Sequence, residues 1–471
     1  MPVARRSVAT MTTETPWAGD ACSLVDAFRA GERSPVEELE ATLRAIAASE
    51  LNAWSHVDAD SARVAARAAD VSLPFGGVPI GVKQLTSVAG WPATEASVPL
   101  DGRVAEHDAT MVERLRAAGA VLPGATTASE YGGLNRTTTK LHGATRNPWN
   151  RDCTPGGSAG GAAAAVAGGE CTIATGGDGG GSIRIPAGFT GLVGLKNTYG
   201  RIPKGPHMIV GSLTAVSGCL ARSVRDTARY LDVCNGFDAR DPYSLPRVDG
   251  FEAGLGTREL KGKRVVIAPT LGNAVVHPEL LAAVVEHGEA LARDAGLVVV
   301  DVAVNLPELS YEWALSGLAE IVMELGDLYP DCEPDLTVEI AFGLKLAHEH
   351  YDIGARARIE AQRMRVNETM ADLFEQVDFV IASTNPDVAF GADGSFPRTV
   401  DGVKVGMGNN GALTIPSNTY GNPAISIPIG TSRGLPIGMQ VLAPHHREDL
   451  LLDLALIAER ERPWPLTAGS R

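Results

Sequence analysis

The feature that most constrains this chain is a glycine-rich segment that runs from Thr154 to Pro186. It reads TPGGSAGGAAAAVAGGECTIATGGDGGGSIRIP, and its two serines, Ser158 and Ser182, each come directly after glycines. Glycine tolerates positive φ and lets backbone or ligand atoms approach closely. Loops around a reacting carbonyl use that freedom, and so do tight turns that have no function. The composition of the segment alone leaves both interpretations open.

Two common uses of glycine-rich segments do not fit this sequence. A phosphate cradle would need G-x-x-x-x-G-K-[ST], or G-x-G-x-x-G after a strand, and the segment has neither. A nucleophile elbow is formally present, because Gly156–Gly160 satisfies G-x-S-x-G and His445 and His446 follow in the right chain order. An elbow also needs a hydrophobic strand directly before it, whereas residues 147–155 are turn-forming. We set both interpretations aside.

A third interpretation combines the two serines with a lysine. Three glycines precede Ser182, and their amides could converge on an oxyanion, which is usually the largest contribution in acyl transfer. Ser158 precedes a run of small residues that would let a helix pack close behind a site. Lys83 ends the apolar, strand-like run Gly76–Val82, an unusual position because lysine is seldom buried without a partner or a role.

These segments resemble the amidase signature enzymes. GGVPIGVK at Gly76–Lys83, GGSAGG at Gly156–Gly161 and GGDGGGSIRIPA at Gly176–Ala187 are similar to the three catalytic segments of that family, in the same order and with similar spacing. The resemblance extends to Gly194–Arg201 and Gly434–Gln440, so it covers nearly the whole chain. It implies the following roles: Ser182 as nucleophile, Ser158 as a bridging serine with a cis peptide bond, Lys83 as base, and Gly179, Gly180 and Gly181 as the oxyanion hole.

The chain departs from the family pattern at several positions. The family often has Ser-Ser where this chain has Ser158-Ala159, often has Thr at the places of Gly177 and Gly179, and often has Asp where this chain has Gln84. None of these changes removes a catalytic hydroxyl or amine. Glycine at position 179 raises the question of what keeps the oxyanion loop rigid.

The chemistry sets conditions on these residues. A serine hydroxyl needs a base to take its proton as it attacks, and lysine is a base only when neutral. Neutralising a free lysine at pH 7 costs about 4.6 kcal/mol, so burial must lower the pKa of Lys83 by several units. Ser158 could relay the proton if Lys83 and Ser182 lie too far apart. Asp178 and Arg184 flank Ser182, and we expect them to pin the loop by an ion pair or backbone hydrogen bonds rather than to react.

Composition narrows the class of protein. Acidic residues outnumber basic ones, 56 to 41, which gives a net charge of −15, and no basic stripe interleaves with the few aromatic residues. This pattern argues against a nucleic-acid partner. The longest apolar runs fall short of the roughly 20 residues of a membrane span. Six cysteines without a C-x-x-C pair, and polar residues after Arg5 and Arg6 in place of a signal peptide, indicate a cytoplasmic protein with reduced thiols.

Periodic patterns predict an α/β fold. Ser34 and Glu37 form a capping box at the start of a helix, and an amphipathic helix at Ala109–Ala118 leads into a buried strand at Ala120–Leu122. A strand, a helix and a second strand follow one another, which favours parallel pairing. These three elements are Arg264–Ala268, Pro278–Ala295 and Leu297–Val304. Two further short strands are predicted at Phe379–Ala382 and Ala424–Pro428, and a closing helix is predicted at Asp449–Glu459.

We therefore expect one large α/β domain in which a mixed, twisted β-sheet is sandwiched between α-helices, as in the amidase signature fold. Its parts are an N-terminal helical segment at 1–70, a catalytic core at 71–235, a surface connection at 236–263, and the remainder of the same domain, including substrate-pocket elements, at 264–471.

Other polar residues are weaker candidates. His348-Glu349-His350 does not have the H-E-x-x-H spacing of a zinc site and fits a solvated helix face better. His142 and His207 lie near the catalytic segments in sequence and could line the pocket or be ordinary loop histidines. The proposed chemistry needs water and a small-molecule substrate, and it implies no metal and no cofactor.

The function predicted from the sequence is hydrolysis of a carbon–nitrogen bond in an amide, anilide or acyl hydrazide other than a peptide. The same groups would also cleave an ester. One alternative is a glutaminase-type amidotransferase component that feeds ammonia to a transfer-RNA-linked reaction, although the acidic charge argues against it. Another is a catalytically idle binding protein on the same fold. By resemblance, a homodimer is common in such enzymes.

Overall fold

An eleven-stranded mixed sheet forms the centre of the molecule. The computed structural model describes residues 14–206 and 213–469, with the backbone alone at 310–312. The strands within these residues are β1 (Trp54–Val57), β2 (Ile80–Lys83), β3 (Gly124–Thr126), β4 (Thr138–Thr139), β5 (Gly143–Ala144), β6 (Ile173–Asp178), β7 (Val193–Lys196), β8 (Val216–Ala221), β9 (Arg264–Ile267), β10 (Val298–Val299), β11 (Phe379–Ser383), β12 (Thr399–Val400), β13 (Val403–Lys404), β14 (Ala424–Ser432) and β15 (Leu435–Leu442).

The sheet order is β1-β3-β2-β6-β8-β7-β14-β15-β11-β9-β10. Strand β2 runs parallel to both β3 and β6, and β9 runs parallel to both β10 and β11. The other neighbours pair antiparallel. Two small hairpins, β4–β5 and β12–β13, lie outside this sheet.

The helices in the described part of the chain are α1 (Ala21–Ala30), α2 (Pro35–Ala48), α3 (Ala59–Arg67), α4 (Thr110–Ala117), α5 (Gly160–Ala167), α6 (Arg184–Thr190), α7 (Val224–Cys234), α8 (Pro278–Asp294), α9 (Ser310–Leu325), α10 (Val338–His350), α11 (Ile353–Gln376), α12 (Asn409–Ala412), α13 (Ile415–Tyr420) and α14 (Glu448–Glu461). None of them is both long enough and apolar enough to cross a bilayer. The protein is a single α/β domain, as the sequence predicts.

Local signals in the sequence account for several boundaries. The capping box is present, because the Glu37 amide donates to Ser34 Oγ at 3.2 Å and the Ser34 amide donates back to Glu37 Oε2 at 2.8 Å. The predicted strand–helix–strand unit is confirmed as β9, α8 and the parallel strand β10. The closing helix is confirmed as α14.

Two predicted strands are wrong in extent. Val121 exchanges backbone hydrogen bonds with Val78 and Ile80, but Pro123 has no N–H to continue the ladder, so the strand itself lies at β3. The run predicted at Leu297–Val304 pairs only at β10, because this edge strand has only β9 beside it and both of its side chains are exposed.

Helix α5 is buried at every residue and packs against β2, β6 and α6. Its small side chains permit this packing, since a Cβ on Gly161 would lie 2.4 Å from the backbone nitrogen of Thr127. The start of α5 is therefore fixed behind the carboxyl ends of β2 and β6. Those two strand ends carry Lys83 and Asp178.

Residues 236–263 contain no helix or strand, and they connect α7 to β9. Part of this connection is tied down by the carboxylate of Asp232, which accepts hydrogen bonds from the amides of Gly250, Phe251 and Glu252. All six cysteines are free thiols.

Candidate active site

Lys83 is the last residue of β2, and its side chain is buried. Its backbone amide donates to Thr175 Oγ1 of β6 at 2.9 Å, which fixes the strand end. Its Nζ donates to Ser158 Oγ at 2.7 Å and to the carbonyl oxygen of Gly177 at 3.5 Å. The two groups that the sequence assigns to proton transfer are therefore in direct contact.

Burial lowers the pKa of Lys83 from 10.5 to about 8, although the negative charges of Asp178 and Glu95 raise it. With a pKa of about 8, about one tenth of the lysine is neutral at pH 7. Burial thus supplies most of the downward shift in pKa that a lysine base requires.

Ser158 follows a cis peptide bond from Gly157 and stands just before α5. Glycine is required before it, because a Cβ on Gly157 would lie 2.5 Å from the carbonyl oxygen of Leu134. The Ser158 carbonyl accepts a hydrogen bond from the amide of Ser129 at 3.2 Å. These contacts fix the Ser158 hydroxyl beside Lys83.

Ser182 lies in the turn between β6 and α6. Its carbonyl oxygen accepts a hydrogen bond from the amide of Ala159 at 3.3 Å, so the turn is joined to the segment that carries Ser158. The side chains of Lys83, Ser158 and Ser182 all line one cavity. The structure thus brings together the three residues that are far apart in sequence.

Asp178 and Arg184 form a fully buried ion pair beneath the turn, with Arg184 Nε 3.0 Å from Asp178 Oδ2. The carboxylate also accepts hydrogen bonds from the backbone amides of Gly181 and Ile183 and from Asn418 Nδ2. Burial would raise the pKa of this carboxyl, but the charge and hydrogen bonds of Arg184 hold it well below its usual range. Asp178 therefore stays ionised and organises the turn.

One of the three predicted oxyanion donors is already engaged. The amide of Gly181 donates to Asp178 Oδ1 at 2.7 Å, so it serves the loop itself. The sequence treats the three glycines as equivalent, and the structure distinguishes this one from Gly179 and Gly180.

The cavity has a volume of 1060 Å³ and two unlike sides. We call Lys83, Ser158 and the loop 178–182 the catalytic floor; in this loop, Asp178, Gly179 and Ser182 line the cavity. We call the apolar side chains that face it from α9 and α10 the helical wall, which consists of Trp313, Leu318, Ile321, Ile340, Phe342 and Leu346. The volume is large enough for a drug-sized molecule.

Acidic residues are frequent around the cavity. Besides Asp178, they are Glu95, Glu106, Glu308, Glu320, Glu324 and Glu339. Glu95 and Glu324 share Arg103, at 3.4 and 2.6 Å. Burial and the nearby charge of Glu324 raise the pKa of Glu95 to about 7, while Arg103 lowers it. Glu95 and Ala96 both have positive φ, at 48° and 58°, which brings a strained backbone to the edge of the site.

Several other candidates from the sequence lie elsewhere. His445 contacts the carbonyl oxygen of Tyr420, and His446 contacts Arg201, so neither joins Ser158 in an elbow arrangement. His142 pairs with Gln84 at 3.1 Å, outside the described lining of the cavity, and His207 falls outside the described residues. The segment His348–His350 lies on the exposed end of α10.

A second buried lysine, Lys196, was not singled out by its sequence context. Burial and Arg184 lower its pKa to about 7, and its Nζ donates to the carbonyl oxygen of Asn197 at 3.1 Å. It does not belong to the described lining of the cavity. Lys83 and Lys196 therefore share burial but differ in whether a serine hydroxyl and a substrate can reach them.

Known proteins are similar to this chain over most of its length. A family model described as Amidase matches residues 37–452. A glutamyl-tRNA(Gln) amidotransferase subunit from Roseiflexus sp. (strain RS-1) is 34% identical, and the match covers 93% of this chain and 95% of that protein.

Solved structures are similar over nearly the full length. A bacterial aryl acylamidase of the amidase signature enzymes has a TM-score of 0.89 at 27% identity, covering 96% of this chain and 99% of that one. The structure of 6-aminohexanoate cyclic dimer hydrolase has a TM-score of 0.84 at 31% identity, covering 95% and 97%. The chain belongs to the amidase signature family, whose members act on carbon–nitrogen bonds.

Proposed function

We propose that this protein is an amidohydrolase that cleaves a carbon–nitrogen bond of a small molecule through an acyl-enzyme on Ser182. The observation that carries the proposal is the 2.7 Å contact between Lys83 Nζ and Ser158 Oγ in a cavity that Ser182 also lines. A lysine with a lowered pKa, a relay hydroxyl and a second hydroxyl at the substrate are the groups that acyl transfer needs.

In the proposed cycle, neutral Lys83 takes the proton of Ser158, which takes the proton of Ser182 as its Oγ attacks the carbonyl carbon. The amides of Gly179 and Gly180 hold the oxyanion, while the amide of Gly181 secures the loop through Asp178. When the tetrahedral intermediate collapses, the carbon–nitrogen bond breaks and the relay returns a proton to the leaving amine. Water then hydrolyses the ester by the same route and releases the carboxylic acid.

The helical wall sets the substrate class. Its side chains are apolar and include Trp313 and Phe342, so a substrate with an aromatic or long alkyl group would bury that group there. Anilides and acyl hydrazides of apolar acids fit this description, as do the corresponding esters. The similarity to an aryl acylamidase supports the same class.

The second candidate is the glutaminase half of an amidotransferase, which the similarity to glutamyl-tRNA(Gln) amidotransferase subunits favours. Glutamine is small, and its α-carboxylate needs a cation. Among the described lining residues, the cationic side chains are Lys83, which contacts Ser158, Arg103, which is shared by two glutamates, and Lys204; seven acidic residues line the same cavity, so negative charge is in excess. Both its size and its charge favour the amidohydrolase.

A substrate panel tests the proposal. The purified protein is given an anilide, an acyl hydrazide, an ester and glutamine, and released acid and ammonia are measured with Ser182→Ala in parallel. We expect turnover of the anilide or hydrazide that disappears in the variant. Ammonia release from glutamine with no turnover of the others would instead establish the glutaminase.

Labelling of Ser182 by a fluorophosphonate separates an enzyme from an idle binding protein. We expect the wild type to be labelled and Ser182→Ala to remain unlabelled, and an unlabelled wild type would refute the proposal.

We also propose that the protein is a homodimer. Light scattering on the same sample tests this proposal, because a monomer mass would contradict it.

A further inference from the structure

Two side chains from outside the catalytic segments hold the carbonyl groups of the glycine loop. Trp313 Nε1, on α9, donates to the carbonyl oxygen of Gly179 at 2.8 Å. Thr414 Oγ1, directly before α13, donates to the carbonyl oxygen of Gly180 at 2.6 Å. Both contacts join residues that are more than 130 positions apart in the sequence.

These hydrogen bonds fix the orientation of peptide planes. In a trans peptide, the carbonyl of one residue and the amide of the next point in opposite directions. The bond from Trp313 therefore sets the direction of the Gly180 amide. The bond from Thr414 likewise sets the direction of the Gly181 amide, which meets Asp178 Oδ1 at 2.7 Å.

The same side chains are in close packing contact with the loop. A Cβ on Gly180 would lie 2.5 Å from Cζ2 of Trp313, and a Cβ on Gly181 would lie 2.5 Å from Thr414 Oγ1. By contrast, a Cβ on Gly179 would meet Ala215 at 3.4 Å, an ordinary contact. The indole ring therefore packs closely against Gly180 and leaves no room for a side chain there.

We propose that Trp313 and Thr414 are positioning residues that hold the oxyanion loop in its active conformation. This inference rests on the proposed acyl-transfer function. It also answers the question that Gly179 raises in the sequence, because rigidity comes from hydrogen bonds to the loop carbonyls rather than from a side chain at that position. Trp313 belongs to the helical wall as well, so the substrate pocket and the oxyanion loop share one side chain.

Thr414→Val is the sharpest test, because valine keeps the branched shape and loses the hydroxyl. We expect kcat to fall about tenfold to a hundredfold, because the loop loses the bond that holds the Gly180 carbonyl and the neighbouring Gly180 amide is then less well positioned; an oxyanion donor that is lost outright costs more, about 10²–10³ in kcat. KM should change less than twofold, because Thr414 is not part of the described cavity lining. Thr414→Ser keeps the hydroxyl, and we expect it to restore most of the rate.

A transition-state analogue separates positioning from a merely structural role. A trifluoromethyl ketone forms a tetrahedral oxyanion on Ser182, so its affinity should fall in Thr414→Val by the same factor as kcat/KM. Thr42→Val is the matched control, because Thr42 on α2 has a buried hydroxyl that makes no hydrogen bond within the described structure. We expect this control to retain the wild-type rate.

Trp313→Phe provides a second test of the positioning role in case Thr414→Val does not fold. Its control is Trp464→Phe, which removes a similar bond from an indole to the carbonyl oxygen of Arg222. We expect slower fluorophosphonate labelling of Ser182 in Trp313→Phe and an unchanged rate in the control. A wild type that is not labelled refutes the proposed function, whereas folded variants of Trp313 and Thr414 labelled as fast as the wild type refute the positioning role alone.

Discussion

The catalytic floor and the helical wall face each other across one cavity, but different interactions hold them. On the floor, Lys83, Asp178 and the amide of Gly181 are each fixed by hydrogen bonds to a specific neighbour. On the wall, Ile321 and Ile340 belong to an apolar cluster between α9 and α10 and offer only surface to a ligand. Changes to the floor should therefore alter the rate of reaction, and changes to the wall should alter which substrate binds, except at Trp313, which belongs to the wall and also holds the oxyanion loop.

The largest expected effect is that of Ser182→Ala. Loss of the nucleophile on the floor should lower kcat by at least about a thousandfold, because only the oxyanion loop and binding remain. KM for any residual reaction should stay near the wild-type value, since the wall is intact. Single-turnover release of the carboxylic acid measures this effect. A variant that retains a tenth of the wild-type rate would place the nucleophile elsewhere.

Lys83→Met and Lys196→Met form a matched pair, because both lysines are buried and have lowered pKa values. Lys83→Met should lower kcat by about a thousandfold or more, since it removes the base that contacts Ser158. Lys196→Met should leave the pH dependence of the remaining activity unchanged and act on stability, because Lys196 Nζ donates to a backbone carbonyl and not to a serine hydroxyl in the described structure. Equal losses of kcat in the two variants, at equal thermal stability, would contradict the assignment of the base.

The sequence predicts most residues of the catalytic floor, but it does not predict the tertiary contacts that hold them in place. Lys83, Ser158 and Ser182 stand in recognisable segments, and the ion pair between Asp178 and Arg184 spans six positions of one motif. Asn418 reaches Asp178 across 240 positions of sequence, so only the folded sheet brings them together. No periodicity or spacing marks such a contact.

For the helical wall, the sequence predicts only the part of the chain that supplies it and not the side chains. The sequence places pocket elements after residue 264, and α9 and α10 lie there. Which side chains face the floor depends on how the helices pack on the sheet. The sequence also does not mark Glu95 as a residue of the site. Its position at the cavity goes with a positive φ and a contact with Arg103, and neither can be read from a single acidic residue in the sequence.

A substitution on the wall should change specificity without affecting the chemistry. Phe342 lines the cavity but is 65% exposed, so Phe342→Ala costs little stability. We expect KM for an anilide of an apolar acid to rise about tenfold, as the ring's burial against the substrate is lost, while kcat and the KM of acetamide stay the same. Val338→Ala, on the same helix but outside the described lining, is the control. A fall in kcat without a change in KM would show that the wall acts on the chemistry.

The smallest expected effect is the influence of the Glu95 charge on the pKa of Lys83. The rate should rise with pH through a midpoint near 8, because Lys83 acts as a base only when it is neutral. Near this pH the Glu95 carboxylate is mostly ionised, since its own pKa is about 7, and its charge raises the pKa of Lys83. Glu95→Gln removes that charge, so the midpoint should move to lower pH by a few tenths of a unit, about what one partly screened charge contributes.

Glu106→Gln is the control for Glu95→Gln, because Glu106 lines the same cavity with an 87% exposed side chain whose charge is screened by water. Its pH profile of kcat/KM should superpose on that of the wild type. A shift to higher pH in Glu95→Gln would mean that the carboxyl acts on Lys83 by some route other than its charge. An equal shift in both variants would attribute the effect to the net charge of the cavity rather than to the position of Glu95 beside Lys83.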